Sequence, residues 1–222
     1  MECGRLNIDK LKVAAFDWDN TLMFSRPALI ESVNVVLKKY NLPEWEEVKK
    51  LRKPDLSFRD NFLYIFGDNA DEAYEHYREI YKTKIGDILS APSKGMAALR
   101  YLKTKGIDIV IVTNKDRVLL EYELPMIYDS FLFTKIVCGH EAVKDKPSGE
   151  QLRYAVDGLV DEITTENVWM IGDSHMDSRC ALDCGAKAIR IGKPIWEEKI
   201  ENTDENILFF SDFTEFYKSI TE

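Results

Sequence analysis

Apolar residues recur along this chain in two patterns. Short, nearly continuous runs occupy residues 11–16 (LKVAAF), 107–112 (IDIVIV), 135–138, 168–171, 188–191 and 207–210. Runs of this kind are expected of strands in a parallel sheet whose two faces are both covered by helices. Between them lie stretches with helical spacing at 94–105, 117–124, 149–157 and 176–184, and Gly106 and Gly185 fall where helix C-caps are expected. The alternation predicts a doubly wound, Rossmann-like α/β domain.

One region breaks the alternation. Residues 24–90 contain no convincing strand and divide into helical patterns at 27–41, 44–51, 58–66 and 71–85, with Pro27 and Pro43 near helix starts and Pro54 and Gly67 in the gaps. The expectation is a core formed by residues 1–23 and 91–222, with an all-helical insertion placed directly after the first strand. Both of its connections return to the carboxyl end of the sheet, where open α/β folds bind ligands. The insertion is therefore placed to act as a cap. The aromatic residues Phe58, Phe62, Tyr74, Tyr77 and Tyr81 sit at helical spacing and are expected in the cap core.

With 222 residues, 45% of them apolar, the chain can bury a substantial core. Its net charge of −9 and the lack of a long Lys/Arg run argue against nucleic acid as a partner. No stretch has the length of a membrane span, and no apolar signal core precedes residue 12, so a cytoplasmic location is expected. Cys3, Cys138, Cys180 and Cys184 form no metal-binding pair and are read as free thiols. The acidic balance does constrain function: a phosphate can be bound only where a cation or backbone N–H groups reverse the local potential.

The residues that end the strands supply such a place. The first strand runs into Asp17-Trp18-Asp19-Asn20-Thr21, the second into Thr113-Asn114, and the fourth into Asp173-Ser174-His175-Met176-Asp177. Lys144-Asp145-Lys146-Pro147 follows the third. Taken singly, Asp17 and Asp19 are ordinary turn residues and Thr113-Asn114 an ordinary helix cap. Together they bring carboxylates, a hydroxyl and an ammonium to one sheet edge. Asp17, Asp19 and Asp173 would repel one another without a hard cation, and Mg²⁺ takes one or two carboxylates plus substrate phosphate. Asp17 can serve as nucleophile, and Asp19 can carry the proton for the leaving group.

These segments resemble the four signature motifs of the haloacid dehalogenase superfamily: DxDxT at Asp17–Thr21, then Thr113, Lys146-Pro147, and the acidic fourth motif at Asp173–Asp177. The helical insertion is similar to the cap of its phosphoglycolate-phosphatase-like branch. The resemblance implies a magnesium-dependent phosphatase acting on a small phosphorylated metabolite through an aspartyl-phosphate. It implies Asp17 as nucleophile and metal ligand, and Asp19 as general acid/base with its backbone carbonyl on the metal. Thr113 and backbone N–H groups near Trp18 and Asn114 would hold the phosphoryl group. Lys146 would balance charge, Asp173 would ligate the metal, and Asp177 would support it through water or a neighbouring group. Trp18 is bulkier than the residue expected between the two aspartates.

Alternatives stay open. A phosphosugar mutase would use the same core residues, and a phosphonatase would need a cap amine. A dehalogenase needs neither Asp19 nor a metal. From another class comes a non-catalytic phosphoacceptor, which has no use for Asp19 or a cap. His175 is read as a solvent-facing loop residue. The cap cations Arg26, Arg52, Lys53 and Arg59 are candidates for substrate contact, although most cap charge is expected to be solvated surface and none of the four is singled out. Substrate identity and oligomeric state are not legible.

Overall fold

A computed structural model describes residues 5–192 and 206–222; Cys3 lies outside them. Six strands form one parallel sheet: β1 (Val13–Phe16), β2 (Asp108–Val112), β3 (Lys135–Val137), β4 (Val168–Gly172), β5 (Lys187–Ile191) and β6 (Ile207–Phe210). Their order is β3-β2-β1-β4-β5-β6, and every neighbouring pair is parallel. The chain thus winds outward from β1 in both directions, the doubly wound topology expected from the sequence.

Strand periodicity divides the core into two layers. Ala14, Phe16, Ile109, Ile111, Trp169 and Ile171 face one side. There they meet α5 (Gly95–Thr104), α6 (Arg117–Ile127) and α9 (Phe213–Thr221). Val13, Ala15, Val110, Val112, Val168 and Met170 face the other side. Their cover is α7 (Glu150–Val156) and α8 (His175–Cys184). Gly185 ends α8 with φ +81°, a left-handed conformation that costs glycine little. Cys138 and Cys180 are buried free thiols, and Cys184 is half-buried.

Between β1 and α5 lie α1 (Arg26–Lys39), α2 (Trp45–Val48), α3 (Phe62–Phe66) and α4 (Ala70–Ile88), with no strand among them. Their apolar faces do not form a separate core. Val33, Val36, Trp45, Phe62, Tyr77 and Tyr81 join the same cluster as Phe16, Trp18, Leu22, Met23 and Ile171.

The helix expected at 58–66 is shorter than its pattern, because residues 52–61 form an irregular loop. Asn61 causes this. Its side chain is fully buried, and its Oδ1 accepts from the Lys53 N–H at 2.6 Å. Its Nδ2 donates to the carbonyls of Ser57 at 2.8 Å, Leu56 at 3.1 Å and Lys53 at 3.2 Å. With two N–H groups facing three carbonyls, one is shared. Such side-chain bonds offer the backbone an alternative to helix. The pattern at 44–51 likewise yields α2 followed by a single 3₁₀ turn at Lys49–Leu51.

Asn61→Ala removes every one of these bonds from a buried site. We expect a loss of about 2 kcal/mol of stability, read from the urea midpoint at constant slope. A change under about 0.5 kcal/mol would show that the loop is held by other means.

Candidate active site

Parallel strands in matched register end at the same level. Phe16 pairs with Ile111 on one side and Ile171 on the other, so Asp17, Thr113 and Asp173 emerge together at the carboxyl edge. Asp17 N–H donates to the Ile171 carbonyl at 2.8 Å, and Thr113 N–H to that of Val137 at 3.0 Å. All three side chains are buried.

Lys146 organises the charge. Its ammonium lies 2.6 Å from Asp17 Oδ1 and 2.6 Å from Asp177 Oδ1, with almost no exposure. Its neighbour Lys144 is exposed. The Lys146 backbone is fixed in turn by Asn114, whose Nδ2 donates to the Lys146 carbonyl at 2.8 Å and whose Oδ1 accepts from its N–H at 3.0 Å. Gln151 Nε2 donates to the carbonyls of Thr113 and Cys138, tying the ends of β2 and β3 beneath this loop.

Asp177 has two duties. Its Oδ2 accepts from Ser174 N–H at 3.0 Å and Ser174 Oγ at 2.6 Å, closing a capping box at the start of α8, while Oδ1 takes Lys146. A Cβ on Gly172 would stand 2.2 Å from Asp177 Cγ, so only glycine admits this carboxylate.

Asp173 is different. Its Oδ2 is buried and has no hydrogen-bond partner among the described residues. Carboxylate oxygens of Asp17, Asp173 and Asp177 lie within 4.8 Å of one another. Burial, followed by the charges of Asp17 and Asp177, pushes the Asp173 carboxyl well above its usual range. Burial likewise raises Asp17 to about 7; Lys146 opposes the shift, and Asp177 adds to it. An orphaned anionic oxygen in an acidic, dehydrated cluster is the donor set a hard divalent cation satisfies.

A cavity of about 400 Å³ opens over these groups. Asp17, Asp19, Thr113, Asn114, Lys146 and Asp173 line it, whereas Asp177 lies behind Lys146 and the Trp18 side chain turns away. The indole is fully buried, with its N–H donating to Glu123 Oε2 at 2.6 Å. The inserted segment also lines the cavity, with Lys49, Lys50, Arg52 and Arg59 together with Leu29, Phe58, Tyr74 and Tyr77.

Several of these positions differ from expectation. His175 is not a solvent-facing loop residue: it begins α8, lines the cavity, and places Nε2 3.4 Å from Asp55 Oδ1. Arg52 and Arg59 border the cavity and are half-buried, because the 52–61 loop folds over the sheet edge. Phe58 and Tyr74 pack at the rim of the aromatic core and also face the cavity.

Lys115 went unnoticed in the sequence. It is buried, with its ammonium 2.8 Å from Asp19 Oδ1 and 2.9 Å from Glu123 Oε1. Burial works against its charge, but Asp19 and Glu123 outweigh that effect and keep it protonated. The available signal was its position, directly after Thr113-Asn114.

The family profile of haloacid dehalogenase-like hydrolases matches residues 14–191. The phosphoglycolate phosphatase of Caulobacter vibrioides is 26% identical over 206 residues, covering 89% of this chain and 86% of its own. The pyrophosphatase PpaX of Bacillus mycoides is 25% identical over 182 residues, covering 82% of this chain and 84% of its own. Among solved structures, CbbY from Rhodobacter sphaeroides in complex with phosphate superposes with a TM-score of 0.77 at 16% identity, covering 93% of this chain and 96% of that one. Four strand-end clusters in one fold, and a family match spanning most of the sequence, lead to one conclusion: this chain belongs to the haloacid dehalogenase-like hydrolases.

Proposed function

We propose that this protein is a magnesium-dependent phosphatase that hydrolyses a small phosphate monoester through an aspartyl-phosphate on Asp17. The observation that carries this is the buried Asp17–Lys146–Asp177 array beside the unpartnered Oδ2 of Asp173. Asp17 and Asp173 would hold the ion, with the Asp19 carbonyl, and Asp177 would support it indirectly because both its oxygens are already engaged. When bound, Mg²⁺ neutralises charge on the transferring phosphoryl group.

The chain's own groups divide the remaining work. The Asp17 carboxylate attacks phosphorus as the bond from phosphorus to the leaving oxygen breaks, and Asp19 delivers the proton that oxygen needs. Lys146 offsets the negative charge gathered between nucleophile and phosphate. Asp19 then takes a proton from the water that attacks the acyl phosphate, releasing inorganic phosphate and restoring Asp17. Residues 24–90 serve as the cap that shields this chemistry from bulk water.

The cap side of the cavity favours a substrate with a second negative group. Lys49, Lys50, Arg52 and Arg59 line the same cavity as the carboxylates. The names of two relatives, a phosphoglycolate phosphatase and a pyrophosphatase, describe substrates with a second anionic end. Arg52→Met is expected to raise KM about tenfold for phosphoglycolate or pyrophosphate and far less for p-nitrophenyl phosphate, as steady-state kinetics on all three will show.

Asp17→Asn should lower kcat by about 10³-fold or more, and Asp19→Asn by about 10²–10⁴-fold, measured as magnesium-dependent phosphate release. Equal turnover by wild type and Asp17→Asn removes the assigned nucleophile.

The raised carboxyls also fix a pH dependence. The folded protein binds protons on Asp17 more tightly than the unfolded chain does. That contribution to stability is full below about pH 4 and is lost as pH rises to about 7. Metal-free protein should therefore lose about 3 °C or more of melting temperature between pH 5 and pH 8 that Asp17→Asn, which lacks the titrating carboxyl, retains. Added Mg²⁺ should restore it in the wild type alone. Parallel melting curves for the two proteins at pH 8 would contradict the repulsive cluster.

A further inference from the structure

Lys115 is a buried cation that the steps above do not use. Its Nζ contacts Asp19 Oδ1 at 2.8 Å, Glu123 Oε1 at 2.9 Å and the Tyr81 hydroxyl at 3.3 Å. Glu123 has no exposure, and its other oxygen accepts the Trp18 indole N–H at 2.6 Å. These contacts close a ring. It runs from the Asp19 carboxylate to Lys115, on to Glu123, then to the Trp18 indole, and back to Asp19 across one peptide bond.

The ring is a costly thing to bury if stability were its purpose. A buried ion pair is often no more stabilising than apolar residues of the same volume, because both ions must be dehydrated. A ring that joins a side chain to its own backbone does give something else: it restricts the carboxylate and the preceding peptide at once. It also accounts for the bulk of Trp18, whose indole is the only part of that residue long enough to reach Glu123 on α6.

We propose that Lys115 and Glu123 form a positioning unit that holds the Asp19 carboxylate in one orientation and, through Trp18, fixes the peptide between Trp18 and Asp19. The ammonium occupies one carboxylate oxygen and leaves the other for the proton it must carry. Tyr81 adds a contact from α4, with its ring centroid 4.7 Å from Nζ, so the inserted helices close over the unit from above. The inference rests on Asp19 as the proton carrier. Lys115 borders the cavity beside Asp19, and it and Glu123 act through Asp19.

Leaving-group dependence tests it. p-Nitrophenolate departs with little proton assistance, whereas an alkoxide needs it, so a misplaced Asp19 harms the two substrates unequally. The double variant Lys115→Met/Glu123→Gln removes both buried charges and keeps an oxygen for the Trp18 indole. Its kcat is expected to fall about 10-fold on p-nitrophenyl phosphate and about 100-fold on an alkyl phosphate, with KM for each within about 2-fold. With p-nitrophenyl phosphate the slow step becomes hydrolysis, so phosphoenzyme trapped by acid quench should rise. An equal fall on both substrates, a rise in KM alone, or unchanged kcat in a protein that melts normally would each overturn the proposal. If the double variant does not fold, Glu123→Gln alone decides by the same criteria. Asp17→Asn and Asp19→Asn run alongside: full activity in both would refute the chemistry on which the inference stands, whereas their inactivity beside a fully active double variant would refute the positioning unit only.

Discussion

The ammonium of Lys146 is the interaction on which the site depends. Three carboxylates from two strand ends and one helix meet, largely buried, at the cavity. Two like charges about 4 Å apart cost on the order of 4 kcal/mol at the effective dielectric of a protein. A single cation 2.6 Å from both Asp17 and Asp177 offsets part of this and leaves Asp173 with an unpartnered oxygen. Much of the local structure serves to put that ammonium in place. Asn114 grips its backbone from both sides, Gln151 ties the strands beneath it, and Gly172 makes room for the carboxylate behind it.

The arrangement works because a parallel sheet delivers its strand ends to one edge without further instruction. Asp17, Thr113 and Asp173 are far apart in sequence, but the register of β1 with β2 and β4 sets them level. The inserted segment then adds Lys49, Lys50, Arg52 and Arg59 to the lining, so an acidic chain presents a cavity that carries charge of both signs.

How much of this was legible follows from the range of each interaction. Strands β1 to β6 and the helices covering them announce themselves by local periodicity, and their order needs only short, right-handed connections. The strand-end aspartates, each an ordinary turn residue alone, could be read because Thr113, Lys146 and Asp173 follow other strands of the same sheet. The 52–61 loop could not. Its residues carry a helical pattern, and the override comes from one buried side chain, Asn61, that competes for the backbone. Lys115 was missed for a related reason. A lysine after a capping pair looks like solvent-facing charge until Glu123, a further eight residues along, is known to point inward. His175, Arg52 and Arg59 gained their places from a surface that only the folded loop creates.

The shared core sets a limit on how this enzyme can be rebuilt. Trp18, Leu22 and Met23 beside the sheet and Trp45, Phe62 and Tyr81 of the inserted segment belong to one hydrophobic cluster. Exchange of residues 24–90 for the corresponding segment of a relative is therefore not a change of attachment at a flexible joint. The incoming helices must match the shape of the residues beside Asp17, and they must bring a group that can stand where Tyr81 stands. Substrate range and the geometry of Asp17 and Asp19 are inherited together, so a transplant chosen for its pocket alone will disturb the chemistry it was meant to redirect.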